Sequence, residues 1–179
     1  VNRSFNTKQD IAEILRHSAQ LIDQSGIKPD MLTIEFTESA YFDGDSYQEQ
    51  LLAAIRKAGV SIAVDDFGTG CASFDYLNKS YFDVLKIDRS FVQGIRFASR
   101  QYHVVNTIIQ LAQKLKLKVV AEGVERRDEY LTLRSLGVDC IQGYFFSKPL
   151  PIEALRVAKN YCELPTNNDM EKGHAGTIA

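Results

Sequence analysis

About six strand-like segments in this chain of 179 residues carry, at or near their C-terminal ends, side chains that can bind a cation or move a proton. They supply Asn2, Glu35, the adjacent pair Asp65 and Asp66, Lys86 with Asp88, Glu122 with Glu125, and Gln142. Carboxylates joined by an amide oxygen are hard ligands, suited to Mg2+ or Mn2+ rather than to zinc. Two neighbouring aspartates allow one carboxylate to bridge two metals while the other binds only the second. Such a two-metal clamp suits in-line displacement at a phosphodiester. Lys86 would then orient the attacking water or neutralise charge growing on the phosphate.

Each residue also has a plainer reading. An acid at a strand end is usually a cap for the next helix. Asp66, ahead of Phe67-Gly68-Thr69-Gly70, could anchor a turn through backbone amides. Gly-Thr-Gly lacks the spacing of a phosphate-binding loop. Lys86 could be a salt-bridge partner, and Glu122 with Glu125 a helix-start pair favoured by the macrodipole. Glu38 is assigned to holding the neighbouring loop. Singly these readings hold; together on one edge of one sheet they are outweighed by a shared site.

The elements that must position these residues follow from hydrophobic period. Ile11, Ile14, Leu15, Leu21 and Ile22 form one helical face from Thr7 onward, stopped by Gly26 and Pro29. Met31–Phe36 reads as a strand, and Ser46 opens a helix that carries Leu51, Leu52 and Ile55 inward to Gly59. Val60–Val64 is a strand, Phe74–Leu77 a turn of helix, and Phe82–Ile87 another strand. A long helix over Gln101–Leu117 buries Val104, Val105, Ile108, Ile109, Ala112 and Leu115. Lys118–Ala121 is a strand, Asp128–Leu136 a helix, Val138–Ile141 a strand, and Pro151 starts a last helix. Val1–Ser4 already looks strand-like. Strict alternation of strand and helix predicts an α/β fold with a parallel sheet. In a barrel the C-terminal strand ends open on one face, where all six groups meet, whereas a doubly wound sheet spreads them along an edge. The strand starts carry no comparable set, so the barrel is favoured.

Composition narrows the function classes. With 21 Lys and Arg against 23 Asp and Glu the net charge is -2, which gives no global attraction to double-stranded nucleic acid or acidic membranes. No apolar run approaches a transmembrane span, and no signal-peptide pattern opens the chain. Cys71, Cys140 and Cys162 are odd in number and widely spaced, so they are expected as packing residues in a reducing, cytoplasmic setting. His17, His103 and His174 are too scattered for a histidine metal site. Residues 1–164 read as one domain portion and 165–179 as a polar, disordered tail.

Val1-Asn2-Arg3-Ser4, Glu35-Phe36-Thr37-Glu38, Asp65-Asp66-Phe67-Gly68-Thr69-Gly70, Leu85-Lys86-Ile87-Asp88, Ala121-Glu122-Gly123-Val124-Glu125 and Gln142-Gly143-Tyr144 resemble, in order and spacing, the motifs of the EAL domain. The resemblance covers Val1 to about Leu155. It implies a modified TIM (β/α)8 barrel, here incomplete and comprising roughly strands 3 to 8. It also implies hydrolysis of cyclic di-GMP to linear pGpG with Mg2+ or Mn2+ in a two-metal site. By resemblance, Asn2, Glu35 and Asp65 are ligands of the first metal, and Asp65, Asp66 and Glu122 serve the second. Lys86 matches the lysine near the attacking water, Glu125 and Gln142 match supporting and nucleotide-side positions, and Asp88 lies beside them. The segment Asp66–Ser73 matches a loop that couples substrate, metal and homodimerisation, with Glu38 its anchor.

Two departures bear on that reading. Cys71-Ala72-Ser73 stands where the family often has Tyr-Ser-Ser. The Glu-Ala-Leu signature, whose glutamate is a first-metal ligand, is missing from the start; the copy at Glu153-Ala154-Leu155 falls in the final helix and is coincidental. The chain is therefore expected to be the C-terminal portion of a longer protein with upstream sensory or GGDEF-type domains. By itself it should hydrolyse cyclic di-GMP weakly or not at all. The competing expectation is a catalytically silent cyclic di-GMP-binding or interaction module.

Overall fold

The computed structural model describes residues 20, 24, 26–37, 46–70, 77, 81–151 and 153–154. Five strands, β1 (Thr33–Thr37), β2 (Ser61–Phe67), β3 (Val84–Ile87), β4 (Lys118–Ala121) and β5 (Cys140–Ile141), form one sheet in chain order. Every neighbouring pair is parallel. Helix α1 (Ser46–Lys57) lies between β1 and β2, and α2 (Arg89–Val92) and α3 (Arg100–Lys114) between β3 and β4. Helix α4 (Arg127–Ser135) lies between β4 and β5. Strand order that follows chain order without reversal is the progression of a barrel, not of a doubly wound sheet. The expected α/β partial barrel is present.

The core explains why the elements form where they do. Ile62, Val64, Leu85, Ile87, Val119 and Ala121 recur with period two and are buried. They join Leu52 and Ile55 of α1, Val105, Ile109 and Ala112 of α3, and Tyr130 and Leu133 of α4 in a single apolar cluster. Each fully buried Leu or Ile contributes about 1.5–3 kcal/mol, so these repeats are the main force holding helices to sheet. Helix α1 packs on β2 and α3 on β4. Ser99 starts α3 by accepting a hydrogen bond from the Tyr102 N–H at 3.1 Å.

Several expectations need correction. The strand expected over Val60–Val64 runs on to Phe67, so Asp65 and Asp66 belong to β2 itself. Residues Pro29–Met31 form a 3-10 turn, which delays β1 to Thr33. The four-residue α2 was not expected, because four residues are too few to show a helical period. Val104 is 38% exposed, one step around the helix from the buried stripe Val105, Ile109 and Ala112. Cys140 is an exposed free thiol, not a packing residue, on β5, the last strand of the sheet among the described residues. The helix from Thr7 apart from residues 20 and 24, the turn at Phe74 apart from Leu77, Cys71, Cys162, the tail, Asn2 and Glu38 lie outside the described residues. Of the helix expected from Pro151, Glu153 and Ala154 are helical. Among the described residues no helix is long and apolar enough to cross a membrane.

The strand starts also hold acids, singly and not as a comparable cluster among the described residues. Asp83, just before β3, accepts the Ile62 N–H at 3.0 Å and the Arg56 Nη2 at 2.9 Å. Asp139, just before β5, accepts the Val119 N–H at 2.8 Å. Each aspartate satisfies a backbone donor of the strand next to it. They tie strands together at the N-terminal end of the sheet.

Candidate metal centre

Register brings the strand-end residues onto one face. Glu35 pairs with Ala63, two residues before Asp65, and Lys86 pairs with Val120, two residues before Glu122. Cross-strand neighbours and residues two apart share a face of the sheet. Glu35, Asp65, Lys86 and Glu122 therefore project together. The side chains meet: the Lys86 Nζ lies 2.8 Å from Glu35 Oε2, 2.9 Å from Asp65 Oδ1 and 2.7 Å from Glu122 Oε1. Lys86 is buried, at 6% exposure, with its three donors facing three carboxylates.

A break in register brings in Asp66. Val64 pairs with Leu85 and Phe67 with Ile87, so two residues of β2, Asp65 and Asp66, oppose the single Lys86 of β3. This is a β-bulge, a device common beside functional sites because it re-aims side chains. Asp66 has φ +55°, a left-handed conformation that aspartate tolerates better than most residues. The extra residue returns Phe67 to the buried side and leaves Asp66 half-buried beside Asp65. Gly68 follows with φ +92°, and a Cβ there would meet the Phe91 ring at 2.9 Å.

Among the described residues the cluster is short of positive charge. Four carboxylates (Glu35, Asp65, Asp66 and Glu122) surround one ammonium, a formal excess of three negative charges when all are ionised. Burial, and then repulsion from Asp65, pushes the Asp66 carboxyl above the ordinary carboxylate range. Burial likewise pushes Glu122 up, against the hydrogen bond from Lys86. Burial would lower the Lys86 ammonium, but its hydrogen bonds to Glu122, Glu35 and Asp65 outweigh it and hold Lys86 charged well above the usual lysine range.

The donor set fits a small divalent cation. One oxygen each of Asp65, Asp66 and Glu122 lies within 4.8 Å of the others. Oxygen ligands sit about 2.0–2.6 Å from Mg2+ or Ca2+, so two of them can be up to roughly 5 Å apart. An all-oxygen, negatively charged set is the chemistry such ions select.

Three more of the expected site residues, Asp88, Glu125 and Gln142, fall within the described residues. Asp88 caps α2, accepting the Ser90 N–H at 2.9 Å. Burial pushes its carboxyl up, but the hydrogen bonds at the helix start outweigh this and leave it below the usual range. Glu125 is exposed. Gln142 is exposed too; its backbone joins the sheet through the Ala121 carbonyl at 2.8 Å, and it lines a groove of about 940 Å³ with Tyr130, Arg134 and Tyr144. Neither belongs to the group of three clustered acids. Sequence reasoning missed the bulge, because Ile62 to Asp65 are all buried and the run shows no alternation that could slip.

Residues 2–149 match the EAL domain family. The chain belongs to that family. It is 40% identical over 148 residues to the cyclic di-GMP phosphodiesterase NbdA of Pseudomonas aeruginosa, covering 83% of this chain and 18% of NbdA. The solved EAL domain of Mycobacterium smegmatis DcpA superposes with a TM-score of 0.76 at 30% identity, covering 86% of this chain and 67% of that one. Klebsiella pneumoniae BlrP1, solved as a manganese and cyclic di-GMP complex, superposes with a TM-score of 0.68 at 32% identity, covering 74% and 34%. The EAL chain thus spans less than a fifth of NbdA and about a third of BlrP1.

Proposed function

We propose that the protein carrying this EAL chain hydrolyses cyclic di-GMP to linear pGpG with Mg2+ or Mn2+. The supporting observation is the excess of carboxylates about Lys86, with Asp65, Asp66 and Glu122 close enough to share a cation. Asp65, Asp66 and Glu122 would hold the metal ions, with Glu35 and Asn2 completing the set. Bound there, the ions would polarise the phosphodiester and lower the pKa of the attacking water.

The chain's own residues do the rest. Lys86, held cationic by its carboxylate partners, orients the water and offsets charge that grows on the phosphoryl oxygens. Because its stem is buried, that charge stays fixed as the reaction proceeds, which is what makes preorganised electrostatics effective. Glu125 and Gln142 support the nucleotide side, Glu38 anchors the loop 66–73, and self-association through that loop is part of the same proposal.

The test is conversion of cyclic di-GMP to pGpG by the purified protein, with Mn2+ or Mg2+ and then with EDTA. Turnover should require the metal, and Asp65→Asn should lower it at least about a hundredfold, the scale of losing a preorganised electrostatic contact. Full turnover in Asp65→Asn or in EDTA overturns the assignment. Binding of cyclic di-GMP without turnover, in a protein that binds Mn2+, would point to the silent binding module.

A further inference from the structure

Glu129 is an acid on the third residue of α4, and its sequence context looks solvent-facing. In the fold it is 2% exposed. Its Oε1 accepts the Gly94 N–H at 2.8 Å, and its Oε2 accepts the Glu125 N–H at 3.0 Å and the Arg126 N–H at 3.1 Å. Three backbone donors and the start of a helix stabilise a carboxylate there without a cation. Among the described residues no ion pair includes it.

The two sides of this bond set belong to different loops. Gly94 ends the segment that leaves β3 just past Lys86, by way of Asp88 and α2. Glu125 and Arg126 end the segment that leaves β4 at Glu122. The ladder between β3 and β4 closes at the Glu122 N–H to Ile87 carbonyl bond, 3.1 Å long. Past it, Glu129 reaches across from the β4 side to the β3 side. The approach is close nearer the strands too, since a Cβ on Gly123 would collide with that of Arg89. The Glu129 bond set therefore spans the two loops that continue from the Lys86 and Glu122 strand ends.

We propose that Glu129 is a positioning residue, which fixes the separation of the Lys86 and Glu122 strand ends and through it the geometry offered to a divalent cation. The inference rests on the metal-binding reading of the centre. Two variants separate reach from charge. Glu129→Gln keeps the length of the side chain but turns one acceptor into a donor facing N–H groups. Glu129→Asp keeps the charge but is one methylene too short to serve both loops.

The measurement is Mn2+ affinity of the purified protein by electron paramagnetic resonance, with melting followed by circular dichroism. Both variants should keep the parent's far-ultraviolet spectrum and weaken Mn2+ binding by about tenfold, the usual scale for groups that orient metal ligands. Glu129→Asp should be the weaker binder. Unchanged Mn2+ affinity with a lowered melting temperature would overturn the proposal and leave Glu129 a purely architectural group. A parent protein that binds no Mn2+ would overturn the metal reading itself, and this inference with it.

Discussion

The two ends of the sheet use the same residue types to opposite effect. At the N-terminal end Asp83 and Asp139 each accept a backbone N–H from the strand alongside, which satisfies a donor that would otherwise be stranded. At the C-terminal end Glu35, Asp65 and Glu122 converge on one lysine, with Asp66 beside them, and their mutual repulsion is only partly answered. An acid absorbed by the backbone serves the fold. Acids crowded together beyond their counter-charge make a centre whose balance a cation would restore.

The largest break in that contrast is expected from Lys86→Met. Removing one member of a buried charge cluster typically costs about 3–5 kcal/mol, because the partners stay buried. Measured by denaturant unfolding at neutral pH in EDTA, the variant should lose stability on that scale. Millimolar Mn2+ should return part of it. Acidification should also help, with a definite sign. Asp66 and Glu122 already sit above the ordinary carboxylate range, so the folded state binds their protons more tightly than the unfolded chain does. Stability falls as pH rises through that window and recovers as pH drops back. A variant as stable as the parent in EDTA would mean that the repulsion is already dissipated into solvent.

The opposite end supplies the next test. Asp83→Ala leaves the Ile62 N–H without its acceptor and should cost about 1–3 kcal/mol, while Asp83→Asn should cost under about 1 kcal/mol. Neither should change Mn2+ affinity in the folded protein. A loss of metal binding in Asp83→Ala comparable to that of Glu129→Gln would erase the distinction between the two ends.

Much of this division was legible in the chain and part was not. Glu35, Lys86 and Glu122 could be placed together because each ends an apolar run, and alternation sets which face it takes. Strict alternation of elements implied a parallel sheet, and the polar groups gathered at the strand ends favoured a barrel over a doubly wound order. Glu129 was not legible: an acid in the first turn of a helix looks like a solvated favourable charge, and its partner Gly94 is 35 residues away. Asp83 and Asp139 were passed over for the same reason, since only the parallel register places them against Ile62 and Val119. The bulge lay between these cases. The apolar Phe67 past the paired acids points to it, but the doubled aspartates looked like the end of a strand.

Asp88 belongs to both regimes, and it gives the smallest expected effect. Its carboxylate accepts the Ser90 N–H as the cap of α2, yet its charge also adds to the repulsion on Asp66. Asp88→Ala should lose about 1 kcal/mol at pH 7, whereas Asp88→Asn, which can still cap, should lose a few tenths. The sign with pH differs from that at Asp66. A folded pKa below the unfolded value contributes stability above the unfolded pKa, and that stability is lost as pH falls through the folded one. The unfolding curves of the parent and Asp88→Ala should therefore separate at pH 7 and approach each other in acid. If the gap instead widened on acidification, Asp88 would be governed by the crowded acids rather than by the helix it caps. The boundary between the two kinds of acid would then lie past Asp88.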